Sequence, residues 1–257
     1  MQDTLYPFLA SVAGYLVGSI SFAVIVSRAM GLADPRSYGS GNPGATNVLR
    51  SGSKLAAVLT LLLDALKGFL PVLMVNLYGA RFGLGEGTAA LVGLGAFLGH
   101  LWPLFFRFKG GKGVATAAGV ILALNPLLGA ATLFTWLLIA YFSRYSSLGA
   151  IAAAALAPIY QMMIWGTGPI VGVLVLMGLL LIWRHEVNIK KLLNGTESRL
   201  GQKSATAAAA VTQPPVGSSK KHPNGPGPAA HGHSHKHPKK SPNHNPSVNS
   251  NPKVSKK

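Results

Sequence analysis

The chain has 257 residues, 49% of them hydrophobic and only 11% charged, far below the roughly 25% charged residues of a soluble domain, which excludes an ordinary water-soluble fold and points to lipid as solvent. The net charge of +17 divides unevenly, because residues 201–257 hold nine lysines and no acid, which leaves eight positive charges to the body. There is no cysteine, so disulfides and thiol catalysis are excluded as well.

Long apolar runs recur from Leu5 to Trp183, and about 20 apolar residues suffice for a helix to cross a bilayer. The first run, about Leu5 to Val26, has no basic region or small-residue cleavage site before it and reads as a retained helix, not a removed signal peptide. A polar, glycine-rich segment from Gly31 to Lys54 follows. Further spans are expected at about Leu55 to Leu77 and Thr88 to Phe106. After the loop Arg107 to Gly113, two shorter helices meet at Asn125 and Pro126, where proline removes a backbone donor and restricts its predecessor; the second ends near Phe142. Two more spans, about Leu148 to Met163 and Gly168 to Trp183, lead into the basic segment Arg184 to Arg199. The fold class predicted is all-α, a polytopic membrane protein of about seven transmembrane helices. Five spans, with the helices around Asn125 merged or misplaced, is the alternative.

Arranged on alternate sides, Arg28, Arg36, Arg50, Lys54, Arg107, Lys109, Lys112, Arg144, Arg184, Lys190 and Lys191 share one side and Arg81 alone takes the other. The positive-inside bias makes the rich side cytoplasmic, with the N-terminus outside and the C-terminus in the cytoplasm. Residues 1–200 form the transmembrane domain on this reading. Residues 201–257 are a basic His-, Pro- and Lys-rich cytoplasmic tail with too little apolar surface to offset its ordering entropy. Its lysines lie near anionic lipid headgroups, each worth about 1 kcal/mol close to the surface; alternatively His231, His233, His235 and His237 bind metal ions weakly.

Three polar segments on the cytoplasmic side carry the unusual chemistry. The first runs from Asp34 to Arg50. Its glycines allow backbone N–H groups to converge on an anion, and Ser40, Gly41, Asn42, Thr46 and Asn47 add short hydrogen-bonding groups between Arg36 and Arg50. Gly39, Gly41 and Gly44 match a dinucleotide-binding spacing, but membrane helices flank them where that motif needs a βαβ unit. The bland alternative is a flexible connector. In the second segment, Arg107 to Thr116, Lys109, Gly110, Gly111 and Lys112 form a basic turn leading straight into a helix, where backbone donors and the helix dipole both face an anion. Gly113 stands where a Walker loop needs Ser or Thr. Positive-inside anchoring explains the lysines but not the glycines between them. In the third, Arg184 to Glu197, the last span continues as an interfacial helix with His185 and Asn188 on one face. Within the second span, Asp64 and Lys67 share a face and are expected to neutralise each other inside the bundle, unless Lys67 reaches up toward the site.

Taken together, these blocks resemble the bacterial acyl-phosphate-dependent glycerol 3-phosphate acyltransferases, the PlsY family. The resemblance spans nearly the whole chain to Gly201 and rests on four blocks in order: Gly18 to Phe22, Gly39 to Arg50, Leu98 through Thr116, and Arg184 to Glu197. It implies an enzyme of the bacterial inner membrane, its active site facing the cytoplasm, that transfers an acyl chain from acyl phosphate to the 1-position hydroxyl of glycerol 3-phosphate. The products are lysophosphatidic acid and phosphate, the first step of phospholipid synthesis. By resemblance, Ser40, Arg50, Lys109 or Lys112, His185 and Asn188 surround the substrates, with His185 and Asn188 nearest the chemistry. The chain departs from the family pattern at Ser21, where proline is frequent, and at Val187, where an acid is often found, with Glu186 one position earlier; the tail is an addition.

No cofactor, metal or nucleic-acid partner is implied. Acyl phosphate is already activated, so positioning the hydroxyl supplies much of the acceleration without a protein nucleophile. Acyltransferases that use thioesters carry aspartate five positions after a histidine, and here those positions are Phe105 and Lys190. The reading from a different class is a membrane transporter of phosphate esters or anions, which would place its polar residues near the midplane on broken helices.

Overall fold

The computed structural model describes residues 2–200, and the expectations for the tail from residue 201 lie outside them. Ten α-helices and no strand are found among the described residues: α1 (Gln2–Gly18), α2 (Phe22–Ala29), α3 (Ala45–Val48), α4 (Lys54–Tyr78), α5 (Glu86–Leu101), α6 (Val114–Leu124), α7 (Pro126–Ser143), α8 (Ser146–Trp165), α9 (Pro169–Arg184) and α10 (Glu186–Leu193). The helix starts follow local chemistry. Ser53 caps α4 by accepting from the Ala56 amide at 3.2 Å, and Asn125 caps α7 by accepting from Leu127 and Leu128 at 3.0 and 3.1 Å, with Pro126 in the first turn. A side-chain oxygen thus satisfies donors that the helix cannot. The junction expected at Asn125 and Pro126 is therefore present.

Five helical segments are long and apolar enough to cross a membrane, and a sixth results if α9 and α10, bent by 59°, count as one. The seventh apolar helix, α6, has 11 residues; at about 1.5 Å per residue it reaches about half of the ~30 Å hydrocarbon layer. One local expectation needs correction. The first run is not one continuous helix but breaks at Ser19, Ile20 and Ser21, where Ser19 turns its hydroxyl back onto the Tyr15 carbonyl at 2.8 Å, the kind of local bond that competes with helix propagation. Within the loop from Gly31 to Lys54 lie α3 and a 3-10 turn (Leu49–Ser51).

Glycines set how closely the helices approach. A methyl group added at Gly18 of α1 would stand 2.0 Å from the Ala96 carbonyl oxygen of α5, and one at Gly119 of α6 would stand 2.0 Å from that of Ala65 on α4. Phe97, Leu101, Val120, Leu128 and Leu174 fill the interior, while Leu62, Leu77, Phe134 and Met163 project outward from the bundle. An outward apolar surface of this extent belongs in lipid.

Candidate functional site

In the first polar loop, Asn47 is the pin. Carried on α3 and fully buried, it accepts from the Ser40 amide at 3.0 Å and donates to the carbonyls of Pro35 and Tyr38 at 2.6 and 3.1 Å. Every polar atom of its side chain is bonded to the loop, so Asn47 shapes the cradle where a ligand contact was expected. Gly39 and Gly41, at φ +60° and +66°, bracket Ser40 in the left-handed region that glycine adopts without penalty. A side chain at Gly39 would collide with Asn47 Oδ1 and with the Arg50 guanidinium, so Arg50 lies directly against this bend. Ser40 and Thr46 are exposed, and Asn42 and Arg50 are half-buried.

The second loop folds over the end of α5. Arg107 and Phe108 both hold positive φ, at 55° and 58°, a conformation uncommon for non-glycine residues and concentrated at functional loops. Beyond them the Gly110 and Gly111 carbonyls accept from Arg184: Nη2 reaches both at 3.0 Å, and Nε reaches Gly111 at 3.2 Å. The Gly111 amide donates to the His100 carbonyl at 3.1 Å. The Gly111 N–H, expected from the sequence to face a phosphate, is thus bonded within the protein in this structure. Gly113, at φ +84°, starts α6.

The two lysines of this turn part company. Lys112 donates to Asn188 Oδ1, whereas Lys109 is exposed and lines a separate hollow of about 540 Å³ with Arg36, Gly41, Arg107 and Gly110. The Asn188 amide in turn donates to Glu197 Oε1 at 2.6 Å, and the same oxygen accepts from Ser147 at 2.7 Å. Burial pushes the Lys112 ammonium down to about 8, and the positive charges of Lys191, Arg184 and Arg50 act in the same direction against the opposing pull of Glu197. A half-buried lysine shifted this far by its surroundings is a candidate functional residue. His185 is buried at the bend between α9 and α10. Its Nδ1 lies 2.8 Å from the Leu181 carbonyl; a carbonyl can only accept, so Nδ1 carries the hydrogen and Nε2 is the free nitrogen of the neutral ring.

Sequence reasoning joined His185 to Asn188 but missed Glu197, Ser147 and the backbone role of Arg184. For Glu197 a signal was present: it is one of only six acids in the chain and falls among the positive charges of the segment Arg184 to Arg199. Arg184 offers none, since its partners are carbonyls 73 and 74 positions away.

From the first turn of α6 an apolar cavity of about 460 Å³ runs down between α4, α6, α7, α8 and α9, bounded near the top by Val114 and Ala118 and further in by Phe69, Leu122, Trp136 and Leu174. Its lining includes Leu61, Leu62 and Leu66, which are also exposed on the outer face of α4, so it opens sideways toward lipid.

A family model described as glycerol-3-phosphate acyltransferase matches residues 8–195. The chain belongs to this glycerol-3-phosphate acyltransferase family. Relatives of that name include one from Paraburkholderia phytofirmans, 63% identical over 202 residues that cover 79% of this chain and 94% of the relative. Another, from Ralstonia nicotianae, is 62% identical over 203 residues, covering 79% and 98%. The fold is similar to a crystal structure of PlsY, an integral membrane glycerol 3-phosphate acyltransferase, in its glycerol 3-phosphate form: TM-score 0.71, 38% identity, 81% of this chain and all of that one. The lysophosphatidic acid form of PlsY is similar at TM-score 0.69 and 38% identity, covering 76% and 96%. The match ends near the point where the family blocks end, in line with the resemblance seen in the motifs.

Proposed function

We propose that this acyltransferase transfers the acyl group of an acyl phosphate to the 1-position hydroxyl of glycerol 3-phosphate, releasing lysophosphatidic acid and inorganic phosphate. The observation that carries this reading is a juxtaposition. Lys112 and Asn188 meet at the head of α6, and the apolar cavity begins two residues further on, at Val114. A phosphate held by the polar groups leaves an attached acyl chain lying down the cavity toward lipid, from which such a substrate arrives.

Arg50 and Lys112 neutralise the substrates' phosphates. Asn188, held by Glu197, orients Lys112, and Ser40 and Asn42 line the first loop. The hydroxyl oxygen of glycerol 3-phosphate attacks the acyl carbonyl carbon, the ester bond forms, the bond to the phosphate oxygen breaks, and the hydroxyl proton passes to a phosphate oxygen. Phosphate is a good leaving group, so alignment of two bound reactants accounts for much of the acceleration. His185 is a positioning residue on this account, with Nδ1 tied to the α9 backbone. His185→Ala then lowers turnover in part and weakens substrate binding; complete loss of turnover with unchanged binding would identify it as the base instead.

The gathering of basic side chains at one end of the bundle favours this reading over transport and supports an orientation with that end in the cytoplasm of a bacterial inner membrane and the N-terminus outside. Residues 1–200 suffice as the catalytic domain, and residues 201–257 form the cytoplasmic tail beside anionic lipid. The test uses purified protein in lipid, supplied with acyl phosphate and glycerol 3-phosphate together. Phosphate and lysophosphatidic acid appear only when both are present, and Arg50→Ala reduces the rate by about 100-fold, in the range for one lost anion-stabilising donor. Equal rates with an acyl thioester as donor would overturn the donor assignment.

A further inference from the structure

Beneath the glycine turn sits a charged cluster that substrate cannot reach. Asp64 and Lys67 on α4 and His100 on α5 are 2%, 3% and 7% exposed. Lys67 Nζ lies 2.8 Å from Asp64 Oδ1 and donates to the Ile20 carbonyl at 2.7 Å, the oxygen left over where the first helix breaks. His100 Nδ1 stands 3.7 Å from the same carboxylate oxygen, too far for a hydrogen bond. Charge so deep in an apolar bundle is costly unless it does something that an apolar side chain could not. Neutralisation of Lys67 by Asp64 explains the pair, but it explains neither the histidine nor where the cluster is placed.

Apart from the bond of Lys67 to Ile20, its outward contacts lead to the glycine turn and the head of α6. The carbonyl of His100 accepts from the Gly111 amide at 3.1 Å. The ring lies so close that a methyl group added at Gly111 would come within 2.2 Å of His100 Nε2. The carbonyl of Asp64 accepts from the fully buried Thr116 hydroxyl at 2.9 Å, in the first turn of α6. One side of the turn is therefore fixed from below at Gly111 and Thr116, while Arg184 draws the Gly110 and Gly111 carbonyls from the other side. Lys112 lies between these anchors, so its reach to Asn188 depends on where the anchors stand.

We propose that Asp64, Lys67 and His100 are positioning residues that seat the glycine turn and thereby place Lys112 against the substrate phosphate, with Arg184 as the opposing clamp. This rests on the acyl-transfer reading above. The ion pair holds α4 and the broken first helix at a fixed spacing, and His100 transmits that spacing to Gly111 through both its ring and its carbonyl. Displacing a bound group by about 1 Å costs on the order of 100-fold in rate, so a rigid seat has a kinetic effect even though none of its side chains touches substrate.

A double-mutant cycle on the full chain in lipid tests the seat. Gly111→Ala is expected to lower kcat/KM by about 100-fold, because the methyl pushes the turn off the His100 ring. His100→Ala alone raises KM for glycerol 3-phosphate more than it lowers kcat. Combining the two removes the collision and recovers activity to within about tenfold of His100→Ala, a coupling that independent sites do not show. Amide hydrogen exchange over residues 109–113, expected to be faster in His100→Ala, reads the seat without any turnover. If His100→Ala fails to fold, His100→Asn, whose side chain draws back from Gly111, takes its place. A double variant no more active than Gly111→Ala, or exchange unchanged by loss of the ring, overturns the proposal. A wild-type chain inactive with both substrates yet showing the exchange difference overturns the acyl-transfer reading and leaves the seat standing.

Discussion

The bundle contains two helix seams built from the same small residues with opposite results. Between α1 and α5, each glycine faces backbone: a methyl at Gly18 would meet Ala96 O at 2.0 Å, one at Gly99 would meet Tyr15 O at 2.2 Å, and one at Gly95 would meet Ser11 O at 2.5 Å. Between α6 and α8, small residues line a gap, with Ala118, Ala150, Ala153 and Ala157 on the wall of the 460 Å³ cavity. A small residue opposite a main chain closes a seam, and a small residue opposite another small residue leaves space. In lipid, where apolar side chains gain little by leaving their solvent, close approach of this kind supplies much of the helix association. The first seam is therefore structural, and the second leaves room for an acyl chain.

The most severe test falls on the closed seam. Gly18→Val drives a branched side chain into the α5 backbone, and overpacking against main chain is expected to cost about 3 kcal/mol or more. The measured result is loss of folded protein in a thermal-unfolding assay in detergent. Gly172→Val on α9, where an added methyl meets nothing within 4 Å, serves as the matched control and should unfold as the wild type does. Equal stability of the two variants would break the comparison.

A smaller effect is expected in the open seam. Ala118→Phe places a ring where the cavity leaves the first turns of α6. Folding should persist, and kcat/KM with a long-chain acyl phosphate should fall by roughly 10- to 100-fold, the scale at which pocket shape discriminates hydrocarbon. A short-chain donor should be affected less. An equal loss for both chain lengths would mean that the cavity does not hold the chain.

How much of this contrast could be read in the sequence depends on the range of the forces involved. Spans were legible because hydrophobic burial is additive along a run: the helices expected from Leu55, Thr88 and Leu148 begin within two residues of Lys54, Glu86 and Ser146. Helix starts were legible where one side chain decides them, as at Asn125. The close pairing of Gly18 with Ala96, the bond from Lys67 to Ile20 and the clamp of Arg184 on Gly110 were not, because each joins residues tens of positions apart through main-chain atoms that every residue possesses. The two lysines of the glycine turn show the limit most clearly. They are chemically identical and three positions apart, yet Lys112 faces Asn188 and Lys109 faces another hollow, a choice made by turn geometry and not by composition.

The mildest prediction concerns Lys112, two residues before the cavity lining begins at Val114. The Lys112 ammonium is lowered from 10.5 to about 8 in the folded chain. Between pH 8 and 10.5 the unfolded chain binds the additional proton, so stability should rise with pH across that window, and the charged lysine is a burden on the fold below it. Substrate binding runs the other way, since a phosphate dianion favours the ammonium form. Affinity for glycerol 3-phosphate should hold steady from pH 6.5 to 7.5 and then fall by up to about tenfold per unit above pH 8, the limit for a single linked proton. Lys112→Met should abolish that slope while raising thermal stability at pH 7, because it removes a buried charge and keeps the apolar stem. If affinity in the variant still falls above pH 8, the proton belongs to another group, and Lys112 is not the cation that holds the phosphate.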